Sequence, residues 1–144
     1  MATILSLYTS QIRVSLKTGI DMINITDKIE RLVTDSTIEN GTANLTVIGS
    51  TGSITTIEYE PGVISDLKRA INKMAPPEEE YEHEKAWHDG NGHSHVQAAI
   101  IGLSIVLPIR NGRVSLGTWQ QVVVINHDNR PRERNIEVSI IGEA

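Results

Sequence analysis

The chain has 144 residues, a formal net charge of −5 and no cysteine, with 39% hydrophobic and 22% charged residues. These values suit a single domain, 1–144, with a real core, and they exclude disulfides, thiolate metal sites and a Cys nucleophile. The acidic balance and the five aromatics, Tyr8, Tyr59, Tyr81, Trp87 and Trp119, argue against nucleic-acid binding, which needs basic surface or stacking platforms.

The segment Met1–Leu7 lacks a basic flank and a long apolar run, and no stretch approaches membrane-spanning length, so a cytoplasmic protein with no membrane partner is expected. Residues 2–8 and 11–18 read as two strands, the second alternating Ile12, Val14 and Leu16 with Arg13, Ser15 and Lys17. Ile25, Ile29, Leu32 and Val33 recur at helical spacing behind Asn24 as N-cap, and Asn40-Gly41 marks a turn. Residues 43–48 and 53–59 form a further strand pair, interrupted by Gly49-Ser50-Thr51-Gly52. That interruption is read as a hairpin turn whose amides and hydroxyls also suit an anion.

A second helix opens at Pro61, carries Ile64, Leu67, Ile71 and Met74 on one face, and stops at Ala75-Pro76-Pro77. The acidic run 78–84 reads as a solvated loop or helix face, and Val96–Ile101 as a short helix closed by Gly102. Strands follow at 103–109, 113–116, 122–125 and 135–141, with Asn111-Gly112 as a hairpin turn. The unbroken Val122-Val123-Val124-Ile125 implies a strand covered on both faces. The expected fold is α+β: antiparallel β-sheets with two or three helices in one compact domain.

The chemistry concentrates in Trp87-His88-Asp89-Gly90-Asn91-Gly92-His93-Ser94-His95. Neutral imidazoles bind zinc well, so His88, His93 and His95 are the expected ligands of a divalent metal, zinc first, with Asp89 as a base or orienting carboxylate. His83 and His127 are further candidates. Arg130, Arg132 and Arg134 alternate, so an extended chain presents their guanidinium groups on one face for a phosphate or other anion. Thr118, Trp119 and Gln120 suggest a pocket wall with an amide handle, Trp119 serving equally well as core filling.

The histidine run, followed by Gly102-Leu103-Ser104, Pro108, Leu116-Gly117-Thr118-Trp119-Gln120, Pro131-Arg132-Glu133-Arg134 and Ile141-Gly142-Glu143, closely resembles the YjbQ-like family. Residues 49–62 resemble its archaeal branch. The resemblance covers nearly the whole chain. It implies a homotrimer, a metal- or anion-binding pocket near subunit boundaries, and a secondary thiamine-phosphate synthase activity that releases pyrophosphate. On that resemblance His95 and His88 match the family's histidines, while His93 stands where others carry Asp or a small residue. Ser50-Thr51 replaces a His-Thr pair, and Arg134 is the expected phosphate contact and catalytic cation beside Asp89. The functional expectation is a metal-assisted enzyme acting on a small phosphorylated substrate; the alternative is a non-catalytic trimeric metal- or anion-binding module.

Overall fold

A computed structural model of the chain describes residues 3–144. Ala2, the first residue of the first expected strand, lies outside the described residues. The elements run β1 (Ser6–Leu16), β2 (Asp21–Asn24), α1 (Thr26–Ser36), β3 (Asn40–Ile48), β4 (Gly52–Glu58), α2 (Pro61–Met74), α3 (Glu82–Trp87), α4 (Gly92–Ile101), β5 (Ser104–Arg110), β6 (Arg113–Val114), β7 (Gln120–Asn126) and β8 (Arg132–Glu143). They form an α+β domain with two antiparallel sheets, ordered β1-β8-β3-β5-β6 and β2-β7-β4.

Two expected strands merge into β1, because Thr9 and Ser10 continue the ladder opposite Ser139 and Val138 of β8. The short β2 has no alternating pattern long enough to announce it. Asn40-Gly41 lies inside β3 rather than at a turn. Gly41 pairs with Gly142 of β8, and a Cβ on Gly41 would sit 2.1 Å from the Ile141 carbonyl oxygen. Close backbone approach, not turn geometry, therefore explains that glycine.

Asn24 stands one residue before the position preceding α1, yet its Oδ1 accepts from Thr26 N and Oγ1, so it still caps the helix. The opening of α2 is closed by Glu60, whose two carboxylate oxygens accept from Gly62 N and Val63 N. Part of the acidic run is helical as α3, and α4 begins at Gly92, so His93 and His95 sit in its first turns.

The main core is aliphatic, with Ile29, Val33, Leu45, Val47, Ile109, Val122, Val124, Ile136 and Ile140 buried where α1 and the two sheets meet. Val123 and Ile125 point the other way, into a smaller cluster with Met22 and Ile71 and with Leu67 of α2 and Ile101 of α4 at its edge. The Val run is thus covered on both faces within one chain, as its continuous hydrophobicity requires. None of the described helices is long and apolar enough to cross a membrane.

Candidate functional site

The Gly49–Gly52 turn, the start of α4 and the segment from β7 to β8 meet at one end of the two sheets. A backbone bond from His127 N to Thr51 O (2.9 Å) ties the turn to β7, and Ser94 Oγ donates to the His127 carbonyl (2.6 Å) to tie α4 there. Between these segments opens a cavity of about 390 Å³ lined by Ser50, Thr51, Asp89, Asn91, His95, Asp128, Arg132, Glu133 and Arg134.

Two buried charges define its floor. Asp128 is 1% exposed and fully partnered: one oxygen accepts from Thr51 Oγ1 (2.9 Å) and Arg132 Nε (3.0 Å), the other from Asn91 Nδ2 and Arg130 N (both 3.1 Å). Burial works to raise its pKa. The bonds from Asn91, Thr51 and Arg132 outweigh that and hold it below the ordinary carboxylate value, so it is an anion.

Arg134 is 5% exposed, and its Nη2 donates to Thr51 Oγ1 and Asn126 Oδ1, both at 2.6 Å. Its Nε has no partner among the described residues. Burial lowers its pKa from the ordinary arginine value, with Asp128 opposing the shift. The guanidinium nevertheless keeps its charge at neutral pH. Among the described residues no carboxylate touches it directly, because Thr51 stands between it and Asp128. Two glycines border its other edge: a Cβ on Gly49 would lie 3.0 Å from Nη1, and one on Gly52 would lie 3.1 Å from Nε, which is itself buried beneath Gly52. Substituted residues here would fill the space beside the cation.

The expected site residues divide. Ser50, Thr51, Asp89, Arg132 and Arg134 come together around this one cavity, with His95 on its wall. Thr118 and Trp119 do not join them. They line a separate cavity with Asn24, Glu58, Tyr59, Glu60 and Gln121, and Trp119 is 73% exposed, which removes its core-filling role. Gln120 is spent bracing its own loop and β4, accepting from Gly117 N and donating to Thr56 Oγ1. Arg130 is exposed, so the alternating arginines reach the cavity only through Arg132 and Arg134.

The structure does not gather His88, His93 and His95 around a point. His88 ends α3 at φ 52°, exposed and lining a cavity with Glu79, Tyr81 and Lys85. His93 and His95 stand two residues apart on α4, a spacing that places them on different helix faces. His93 leans on Tyr81, ring centroids 6.5 Å apart, while His95 faces His83 at 4.6 Å. Burial lowers the pKa of His93. The donor atoms that do converge within 4.8 Å of one another belong to His83, Glu84 and Asp89. Within that group His83 Nε2 lies 3.0 Å from Asp89 Oδ1, and Glu84 accepts from Gly90 N and Gly92 N, which holds the glycine loop closed. The backbone bond from Asn91 to Asp89, aided by His83, lowers the Asp89 pKa.

Sequence reasoning missed Asn91, Asn126 and Asp128. Each lies in a polar stretch that reads as an ordinary turn, and only the fold aims them at Thr51, Arg132 and Arg134. It also missed a buried relay. Ser53 Oγ lies 2.7 Å from His127 Nε2, and His127 Nδ1 lies 2.9 Å from Gln97 Oε1. Gln97 Nε2 donates to Asn72 Oδ1 and Ala75 O, which orients its carbonyl oxygen toward the ring. Nδ1 therefore carries the proton and Nε2 accepts from Ser53. All three side chains are at most 1% exposed, so the arrangement resembles a nucleophile triad without access and serves as a structural network.

The family model for YjbQ-like UPF0047 proteins matches residues 10–143. The chain belongs to that family. A UPF0047 protein of Methanothermobacter thermautotrophicus is 31% identical, covering 96% of this chain and 95% of its own length. A crystal structure from Sulfolobus solfataricus, described as a YbjQ-like protein of unknown function, superposes with a TM-score of 0.92 at 33% identity, covering 96% of this chain and 99% of that one. One from Clostridium acetobutylicum, described as an uncharacterized conserved protein of the YjbQ/UPF0047 family, gives 0.79 at 33% identity over 90% and 98%.

Membership and fold thus stand as the motifs implied, but the activity does not. The family is described by number rather than by reaction, and its Sulfolobus member as of unknown function. The expectation of a metal-assisted enzyme on a phosphorylated substrate, with thiamine-phosphate synthase as its reaction, is therefore withdrawn.

Proposed function

We propose that the chain is a binding protein whose pocket at Thr51, Arg132 and Arg134 holds a small oxyanion. The observation that carries this reading is the Arg134 guanidinium: a buried cation that lines the polar cavity, with no direct carboxylate among the described residues and only the side-chain-free Gly49 beside its Nη1. A buried charge is costly unless paired. Asp128 compensates only through Thr51, so an arriving anion gains a cation already dehydrated and oriented. Titration of inorganic phosphate followed by amide NMR is the test. Saturable shifts are expected at 49–52 and 128–134, weakened in Arg132→Gln and abolished in Arg134→Gln. Because Arg134→Gln can disturb folding, the exposed Arg132 is the deciding variant. Unchanged phosphate affinity in Arg132→Gln, or no saturable shift in the unmodified chain, refutes the reading.

The convergence of His83, Glu84 and Asp89 favours a second, compatible reading, a divalent ion held structurally at that corner. One imidazole and carboxylate oxygens form a donor set that zinc accepts. Zinc titration should be stoichiometric and should fail in His83→Ala while persisting in His88→Ala; uptake unaffected by His83→Ala excludes this site. A homotrimer is proposed as the assembly. It is supported by exposed Leu7, Val106 and Ile141 on strands of the five-stranded sheet, and is tested by light scattering.

A further inference from the structure

We propose that the ligand of this pocket is a small amphipathic acid, with its oxyanion head at Arg134 and Arg132 and a compact apolar part in an adjoining cavity. The inference rests on the oxyanion reading and adds the chemical class of the remainder of the ligand.

Beside the polar cavity lies a second one of about 280 Å³, lined by Gly49, Ser50, Gly52, His95, Ala98, Ala99, Gly102 and Leu103. Ser50 and His95 line both cavities, so the two spaces adjoin and a ligand spanning them meets one trough with different walls. Beyond these shared residues, the polar half is walled by Thr51, Asp89, Asn91, Asp128, Glu133 and the two arginines. Apart from the shared Ser50 and His95, the second half presents only glycine, alanine and leucine.

This change of character follows from the helix. Positions 95, 98, 99 and 102 recur at intervals of three and four, so they share one face of α4 and its end. His95 lies at the polar end of that stripe, while Ala98 and Ala99 are the smallest side chains able to keep the groove open. Gly102 has φ +103° and no atom within 4 Å of where a Cβ would stand. The opposite wall is the Gly49–Gly52 turn.

Arg134 lines the polar half and lies next to a glycine of the apolar half. Its unpartnered Nε, buried beneath Gly52, is covered on the trough side by a residue that lines the apolar half. A ligand lying across the glycines therefore meets the guanidinium at its head end and alanine and leucine at its tail. An apolar cavity of roughly 150 Å³ already admits benzene, so the apolar half suits one ring or a short branched or linear chain. Each buried methylene adds roughly fourfold in affinity, and because the trough is open along one side a four-carbon tail should add about tenfold.

Calorimetry or NMR titration can compare acetate and inorganic phosphate with pentanoate, benzoate, butyl phosphate and phenyl phosphate. The carboxylate and phosphate series distinguish which head is preferred. In the unmodified chain the tailed acids should bind about tenfold more tightly than the bare anions. Ala99 is exposed and walls only the apolar half, so Ala99→Leu should fill that half and erase the gain while inorganic phosphate binds as before. Equal affinity with and without a tail, or a gain that survives Ala99→Leu, overturns the inference and leaves the oxyanion site standing. Failure of every anion to bind overturns both.

Discussion

His127 is the group through which acid should weaken this fold most directly. It is 1% exposed, both ring nitrogens are engaged by Ser53 and Gln97, and burial, with the Arg134 charge adding to it, lowers its pKa from 6.5 to about 4. The unfolded chain binds this proton near pH 6.5 and the folded chain only near pH 4, so between those values the unfolded state holds more protons. Stability on this account is fully present above pH 6.5 and falls as the pH drops toward 4. Each pKa unit is worth about 1.4 kcal/mol, so the full loss is about 3 kcal/mol. Urea denaturation of the unmodified chain and His127→Gln at pH 7.5, 6, 5 and 4 should show this loss in the first and not in the second. His93, also depressed by burial, contributes with the same sign to both proteins and cancels in the difference. Asp89 and Asp128, held below the ordinary value, lose their contribution only under about pH 3.8. Should His127→Gln fail to fold, ring NMR of the unmodified chain decides alone: a His127 midpoint near 6.5 in the folded protein would sink the argument.

Two further substitutions probe the frame that carries the site. Gly41→Ala forces a Cβ against the backbone of β8 and should cost about 3 kcal/mol, a fall in melting temperature of roughly 10 °C by calorimetry; an unchanged melting temperature would refute the close-approach account. Glu60→Ala uncaps α2 and should cost about 1 kcal/mol in the same assay, with phosphate binding intact; a loss indistinguishable from zero would mean that solvent caps the helix equally well.

Much of the framework was legible because it is periodic. The alternation of Ile12, Val14 and Leu16, the helical recurrence of Ile25, Ile29 and Val33, and the stop at Pro76-Pro77 each report a local rule, and β1, α1 and α2 follow them. Where two rules competed, tertiary contact won. Asn40-Gly41 has turn chemistry, yet β8 draws it into a strand because Gly142 allows the backbones to meet. The short β2 exists because β7 supplies its partners.

The candidate site was legible only in its ingredients. Residue types and local spacing marked Ser50, Thr51, Asp89, His95, Arg132 and Arg134, and the family motifs marked membership. By themselves they also favoured His88, His93 and His95 as one cluster, since nearness along a chain looks like nearness in space. A helix that begins at Gly92 separates His93 from His95, and a turn at His88 carries that ring elsewhere. What the fold alone decided is the company each charge keeps. Asp128 meets Thr51 across 77 residues and Arg134 meets Thr51 across 83, distances no local rule spans. The sequence by itself determined which groups were available and which family they belong to. Packing determined that one arginine would be buried beside two glycines on the wall of a polar cavity.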